Sequence, residues 1–247
     1  MTGADRRGTP APLPTNFAFV GHDGARLVGD RLEGATPGYL FLHGFASVRR
    51  GTKSDTLFAH AWSTGRAALR IDCRGHGESD GVLGEAPLSL VVRDVLGLLE
   101  QCGPSYIVGA SFGGLVGATV AARRPDLVAG LVLVAPAFGL LPNLPRLVDA
   151  CGRMRTSDGR LVRIGEAALA EAAAFDEAAV AAGLRCPLLI AHGDADEIVP
   201  IAAAEQFYGA VSAPRREFWR VAGGDHRLAT VAAELWPRFD RLLAAGC

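Results

Sequence analysis

Along most of the chain, short apolar runs alternate with segments whose apolar residues recur every three or four positions. The first two runs, "NFAFV" and "ARLVGDRL", are separated by the turn signal "GHDG" and predict a β-hairpin. A third run, "GYLFLHGF", ends in glycine and gives way to "TKSDTLFAHAWSTG" at helical spacing. The pattern continues as "AALRID", a glycine-rich loop, the helical "LSLVVRDVLGLLEQCG" and then "SYIVGAS". "FGGLVGATVAARRP" reads as a helix stopped by Pro125, and "LVAGLVLVAPA" as the strand after it. "CPLLIAHG", "PIAAAEQFYGAV" and "REFWRVAGG" extend the alternation, and a last amphipathic helix is expected over residues 227–244.

Strands that are apolar almost throughout need cover on both faces. The fold class is therefore α/β: a mostly parallel eight-stranded sheet with helices on both faces, and the opening hairpin as an antiparallel edge. Residues 139–185 break the alternation with prolines and then "LVRIGEAALAEAAAFDEAAVAAG", which reads as one or two Ala-rich helices. An insertion between two strands, above the carboxyl edge of the sheet, is placed to act as a small helical lid. The expected organisation is a flexible tail at 1–16, a core at 17–138 and 186–247, and the lid at 139–185.

Bulk properties narrow the function mainly by exclusion. Hydrophobic residues make up 49% and charged residues 21% of the chain, the balance of a globular protein with a substantial core. A net charge of −1 gives no electrostatic case for nucleic acid or an anionic membrane. No apolar run approaches the ~20 residues of a membrane span, and the N-terminus has no apolar h-region. The five cysteines are widely spaced, without C-x-x-C or Cys/His ligand spacing, so neither a zinc site nor a disulfide framework is suggested. A reducing, cytoplasmic compartment is the expectation. The G-x-G-x-x-G and G-x-x-x-x-G-K patterns are missing, and no cofactor or metal is implied.

Two segments read Gly-x-Ser-x-Gly: "GESDG" around Ser79 and "GASFG" around Ser111. A nucleophile elbow needs a sharp turn from strand to helix, with glycines relieving the crowding and the hydroxyl projecting upward. Ser111 has that setting, between "SYIV" and "FGGLVGATVAA", and the helix start adds free N–H groups and a positive dipole end. Ser79 lies in a loop, several residues past its strand, where a hydroxyl bonding a Gly-rich turn is sufficient explanation. A serine needs a base. With the order serine, acid, histidine, only His192 and His226 follow Ser111, and His226, closing "REFWRVAGGDH", is at the strand end that presents it. The acid belongs on "DADEIVP", which offers Asp194, Asp196 and Glu197; spacing does not choose among them.

With these segments in place, the chain resembles the α/β-hydrolase superfamily over nearly all its length after the tail. "FLHGF" looks like the family's His-Gly-x oxyanion segment, and "DCRGHGESDG" is similar to its D-x-R-G-x-G-x-S loop. "GASFGG" matches the elbow, "HGDADEIVP" the acid segment and "GGDHR" the terminal histidine. The resemblance puts the acid at Asp196. It is closest to the palmitoyl-protein thioesterase and acyl-glucuronide esterase branch and its bacterial relatives, on "FLHGFASVRRGTKSD", "DGVLGEAPLSLVVRDVL" and "GGDHRL".

The implied activity is hydrolysis of a small-molecule carboxylic ester or thioester. Ser111 attacks, His226 takes the proton, Asp196 orients the imidazole, and the backbone N–H groups of Phe45 and Phe112 hold the oxyanion. An acyltransferase could use the same three residues, delivering the acyl group to an alcohol or amine. A non-catalytic ligand-binding protein on this fold is the third possibility.

Overall fold

The computed structural model describes residues 12–245. Strand β1 (Thr15–Val20) pairs antiparallel with β2 (Arg26–Leu32), as the hairpin signal predicts. The strand begins inside the stretch expected as a tail, so Thr15 and Asn16 belong to the sheet; residues 1–11 of that stretch lie outside the described residues. β3 (Ala35–Leu42), α1 (Thr52–Ser63), β4 (Arg66–Ile71), α2 (Leu88–Cys102), β5 (Ser105–Ala110), α3 (Phe112–Arg123) and β6 (Val128–Val134) follow. After an irregular stretch with α4 (Leu144–Leu147), β7 (Arg153–Arg155), β8 (Leu161–Arg163), α5 (Glu166–Ala173) and α6 (Glu177–Gly183), the chain returns to the sheet. It finishes as β9 (Leu188–Gly193), α7 (Ile201–Ala210), β10 (Arg216–Val221) and α8 (Leu235–Ala244).

Eight strands form one sheet in the order β1-β2-β4-β3-β5-β6-β9-β10, parallel from β4 onward. Side-chain alternation divides the core into two layers. Leu40 and Leu42 of β3 join Val91, Leu98 and Leu115 on the face covered by α2 and α3. Tyr39 and Phe41 of the same strand join Leu57, Trp236 and Phe239 on the face covered by α1 and α8.

Two expectations need correction. The inserted segment is not wholly helical: "LVR" at 161–163 is β8, paired antiparallel with β7 in a separate two-stranded hairpin. Its last helix, α6, does not lie over the site, because Val180 and Ala181 are buried in the core with α3 and α7. The final helix also starts late. Asp225 Oδ1 accepts the N–H groups of Arg227 (3.1 Å) and Leu228 (2.9 Å), Leu228 adopts φ 47°, and a 3-10 turn over Ala229–Glu234 precedes α8.

The chain crosses from β4 on one side of β3 to β5 on the other, which leaves a crevice beyond the carboxyl ends of β3 and β5. The "HGF" turn follows β3 and Ser111 follows β5. The fold thus brings together two segments about seventy residues apart in sequence.

Candidate active site

Ser111 stands between β5 and α3 with φ 51° and ψ −116°. This conformation costs a non-glycine residue ~1–3 kcal/mol and persists only where the surroundings fix it. Here its N–H donates to Val134 O (3.0 Å), while its carbonyl accepts from Gly114 (2.9 Å) and Ala137 (3.2 Å). The motif glycines are steric. A Cβ on Gly109 would lie 2.3 Å from Gly113 O, and one on Gly113 would lie 2.2 Å from Leu42 O.

The loop after β10 carries His226, whose Nε2 lies 3.1 Å from Ser111 Oγ and whose Nδ1 lies 2.8 Å from Asp196 Oδ2. A carboxylate only accepts, so Nδ1 carries the proton and Nε2 turns a lone pair toward the serine hydroxyl. Of the three acids on "DADEIVP", only Asp196 touches the imidazole. Asp194 instead accepts from Gly223 N–H (2.7 Å), and Glu197 is exposed.

Asp196 is tied down from all sides. Its Oδ1 takes the N–H groups of Ile198 and Val199 (both 2.9 Å), and its side chain is fully buried. Burial alone would favour the protonated form. Hydrogen bonds from His192, His226 and Val199 outweigh it and hold the carboxyl well below the usual carboxylate range. His192, the other histidine downstream of Ser111, belongs to this group: it is buried, with Nε2 3.2 Å from Asp196 Oδ2 and 3.0 Å from Val199 O.

Ser79 has a different occupation. Its hydroxyl donates to Asp72 O (2.6 Å) and accepts from Val28 N–H (2.9 Å), stitching the loop after β4 to β2. The Gly-x-Ser-x-Gly match around it is a structural turn.

The segment after β3 approaches Ser111 closely. A Cβ on Gly44 would stand 3.2 Å from Ser111 Cβ and 3.8 Å from Ser111 Oγ, and the next residue, Phe45, lines the same cleft as Ser111. The Phe45 and Phe112 rings meet edge to face with centroids 6.3 Å apart. Two histidines that motif reading leaves without a role hold this segment. His43 Nδ1 bonds Gly44 O (2.8 Å) and its Nε2 accepts from Cys73 N–H (3.0 Å). His76 Nδ1 bonds Arg74 O (2.9 Å) and its Nε2 accepts from Ala46 N–H (3.1 Å). Burial pushes both imidazoles toward the neutral form, His43 down to about 4. Further along, buried Arg49 binds Asp72 through its guanidinium and through its own N–H (2.7 Å), which ties the same loop to the end of β4.

A cleft of about 900 Å³ opens over Ser111, toward the upper end of the range for small-molecule sites. Leu140, Leu141, Leu144, Leu147 and Ile164 from the inserted segment supply an apolar wall. Lys53, Arg155 and Arg227 border it elsewhere; Lys53 Nζ donates to Arg227 O (2.6 Å), and burial lowers its pKa. Away from the cleft, His22, Asp23 and Asp94 converge, but Arg74 already bridges the two carboxylates at 2.9 and 2.7 Å.

Comparison with known proteins gives matches at each level. The serine aminopeptidase, S33 family model matches residues 39–166, and the prolyl oligopeptidase family model matches 104–230. The mitochondrial palmitoyl-protein thioesterase ABHD10 of Bos taurus is 30% identical over 229 residues, 87% of this chain and 75% of that protein. The mouse sn-1-specific diacylglycerol lipase ABHD11 is 33% identical over 125 residues, 50% of this chain and 37% of that protein. Among solved structures, mouse alpha/beta hydrolase domain-containing protein 10 superposes with a TM-score of 0.81 at 27% identity, covering 94% of this chain and 99% of that one.

Proposed function

For a chain that belongs to the α/β-hydrolase family and is a serine ester or thioester hydrolase, we propose a reaction through an acyl-enzyme on Ser111, with His226 as base and Asp196 as the acid that orients it. The continuous contact from Ser111 Oγ through His226 to Asp196 Oδ2, at 3.1 and 2.8 Å, carries this reading. Ser111 Oγ attacks the acyl carbonyl while His226 Nε2 takes its proton. The imidazolium formed is stabilised by Asp196, which stays ionised because its hydrogen bonds outweigh its burial. The oxyanion sits between the N–H groups of Phe45 and Phe112, each worth ~3 kcal/mol to the transition state. His226 then hands the proton to the departing alkoxide or thiolate. Water repeats the sequence, activated by the same nitrogen, and releases the acid.

The substrate we propose carries an apolar acyl chain. The leucine-rich wall from the inserted segment supports this, as does the likeness to a protein named as a palmitoyl-protein thioesterase. The test is a series of oxygen esters and thioesters of graded acyl length, assayed on wild type and Ser111→Ala, with a fluorophosphonate probe mapped by peptide. We expect kcat/KM to rise with chain length by about fourfold per methylene until the wall is filled, at ~0.8 kcal/mol per buried CH₂. The adduct should fall on Ser111. A probe adduct on Ser79, or full activity in Ser111→Ala, overturns the assignment; a flat length series overturns the substrate class.

A further inference from the structure

The turn that presents Phe45 is built against its own sequence preference. Ser47 N–H donates to Gly44 O (3.2 Å), which closes a β-turn with Phe45 and Ala46 at its centre. Ala46 has φ 57° whereas Phe45 is not among the positive-φ residues, the combination that defines a type II turn. That turn asks for glycine in the second central position. Alanine there pays ~1–2 kcal/mol for the left-handed conformation. A type I turn would relieve the strain by rotating the Phe45–Ala46 peptide through roughly half a revolution.

His76 stands against that rotation. Its Nδ1 faces a carbonyl, Arg74 O at 2.9 Å, and must carry the proton; its Nε2 is therefore a bare acceptor, and it takes Ala46 N–H at 3.1 Å. Rotating the peptide would turn the Phe45 carbonyl oxygen toward the same nitrogen, acceptor against acceptor. The His76 ring is buried and braced edge to face by Phe45 (centroids 5.8 Å) and His43 (4.9 Å), so it cannot follow the peptide. From the other side, Arg160 in the β7–β8 hairpin donates to Ala46 O at 2.8 Å.

We propose that His76 is a positioning residue for ester hydrolysis: by accepting the Ala46 N–H it anchors the strained type II turn on which Phe45 stands, and so keeps the segment carrying the Phe45 N–H seated beside Ser111. This rests on the Ser111 mechanism above and adds to it a cleft residue whose two ring nitrogens are both engaged with backbone groups.

Steady-state hydrolysis of a short aryl ester by the full chain tests the idea. His76→Phe keeps a buried ring and removes the acceptor. We expect kcat to fall about tenfold with KM nearly unchanged, less than the ~10²–10³ lost when an oxyanion donor is removed outright. Adding Ala46→Gly should restore most of kcat, because glycine adopts the positive φ without an anchor. A purely structural role for His76 predicts no such rescue. Wild-type kcat in His76→Phe, or failure of Ala46→Gly to restore it, overturns the proposal. Should His76→Phe not fold, His76→Gln and His76→Asn decide: the Gln oxygen reaches the Nε2 position and the Asn oxygen does not. Gln must exceed Asn severalfold in kcat, and equality refutes the idea. Ser111→Ala run alongside separates the two failures: full activity there removes the mechanism itself and the proposal with it, whereas its inactivity leaves the His76 results to decide.

Discussion

Acid should weaken this fold through His43 before the lowered carboxyls of Asp30 and Asp196 contribute. His43 is 2% exposed and uses both ring nitrogens as a neutral imidazole, one toward Gly44 O and one accepting from Cys73 N–H. A second proton would set N–H against N–H. Burial is the main force lowering its pKa from 6.5 to about 4; the charge of a protonated His76 and Arg49 push the same way, and Gly44 O and Asp72 push back. Because the folded value lies below the unfolded one, the unfolded chain binds more protons between those limits. The stabilisation is complete above pH ~6.5 and is lost as the pH falls toward 4. A gap of about 2.5 units amounts to ~3 kcal/mol in all, of which ~2 kcal/mol is lost between pH 7 and 5. Asp30 and Asp196, with lowered carboxyl pKa values, contribute stability above 3.8 and lose it below, outside this window. Urea unfolding at pH 7, 6 and 5 on wild type and His43→Gln measures the effect. His76, also lowered by burial, leaves a residual slope in the variant, so the difference between the two slopes is the quantity to read. Equal slopes, or a wild type that loses under 1 kcal/mol, would refute the reasoning.

Two further substitutions probe the glycine-serine motifs. Ser79→Ala leaves Val28 N–H and Asp72 O without their partner and should cost about 1–2 kcal/mol in stability with kcat retained, checked by thermal unfolding alongside turnover. Gly113→Ala forces a Cβ to within 2.2 Å of the Leu42 carbonyl and should cost at least about 2 kcal/mol, because backbone must move on both sides; a Tm within a degree of wild type would contradict it.

What could be read from the sequence was what depends on local pattern. Strands buried on both faces are apolar throughout, so β5, β6 and β9 appear as unbroken runs. The elbow at Ser111 needs glycine at fixed offsets because Leu42 O and Gly113 O crowd it, and that requirement is written into five consecutive residues. The β7–β8 hairpin was not legible: each strand is three residues long and carries charged side chains, too short for a period of two to register. The late start of α8 has a similar origin, since one Asp225 carboxylate oxygen diverts the backbone across an otherwise helical pattern. His43 and His76 escaped for another reason. Each bonds backbone groups on the two loops at the carboxyl ends of β3 and β4, and one of the partners lies 30 positions away in each case, a pairing that only the sheet order creates.

That dependence on sheet order also sets when the protein becomes an enzyme. His226 and Ser111 are 115 positions apart and His226 and Asp196 are 30 apart, with β6, α7 and β10 needed to close the distances. Contacts between distant segments require their loop-closure entropy before they stabilise anything, which makes them slow to form. The hydroxyl at the elbow can be strained into place by its neighbours in β5, β6 and α3 while its histidine is still diffusing. On the mechanism proposed above, the reactivity of Ser111 toward a phosphonate is expected to start only when β10 has docked on β9, which would make it a clock for that strand.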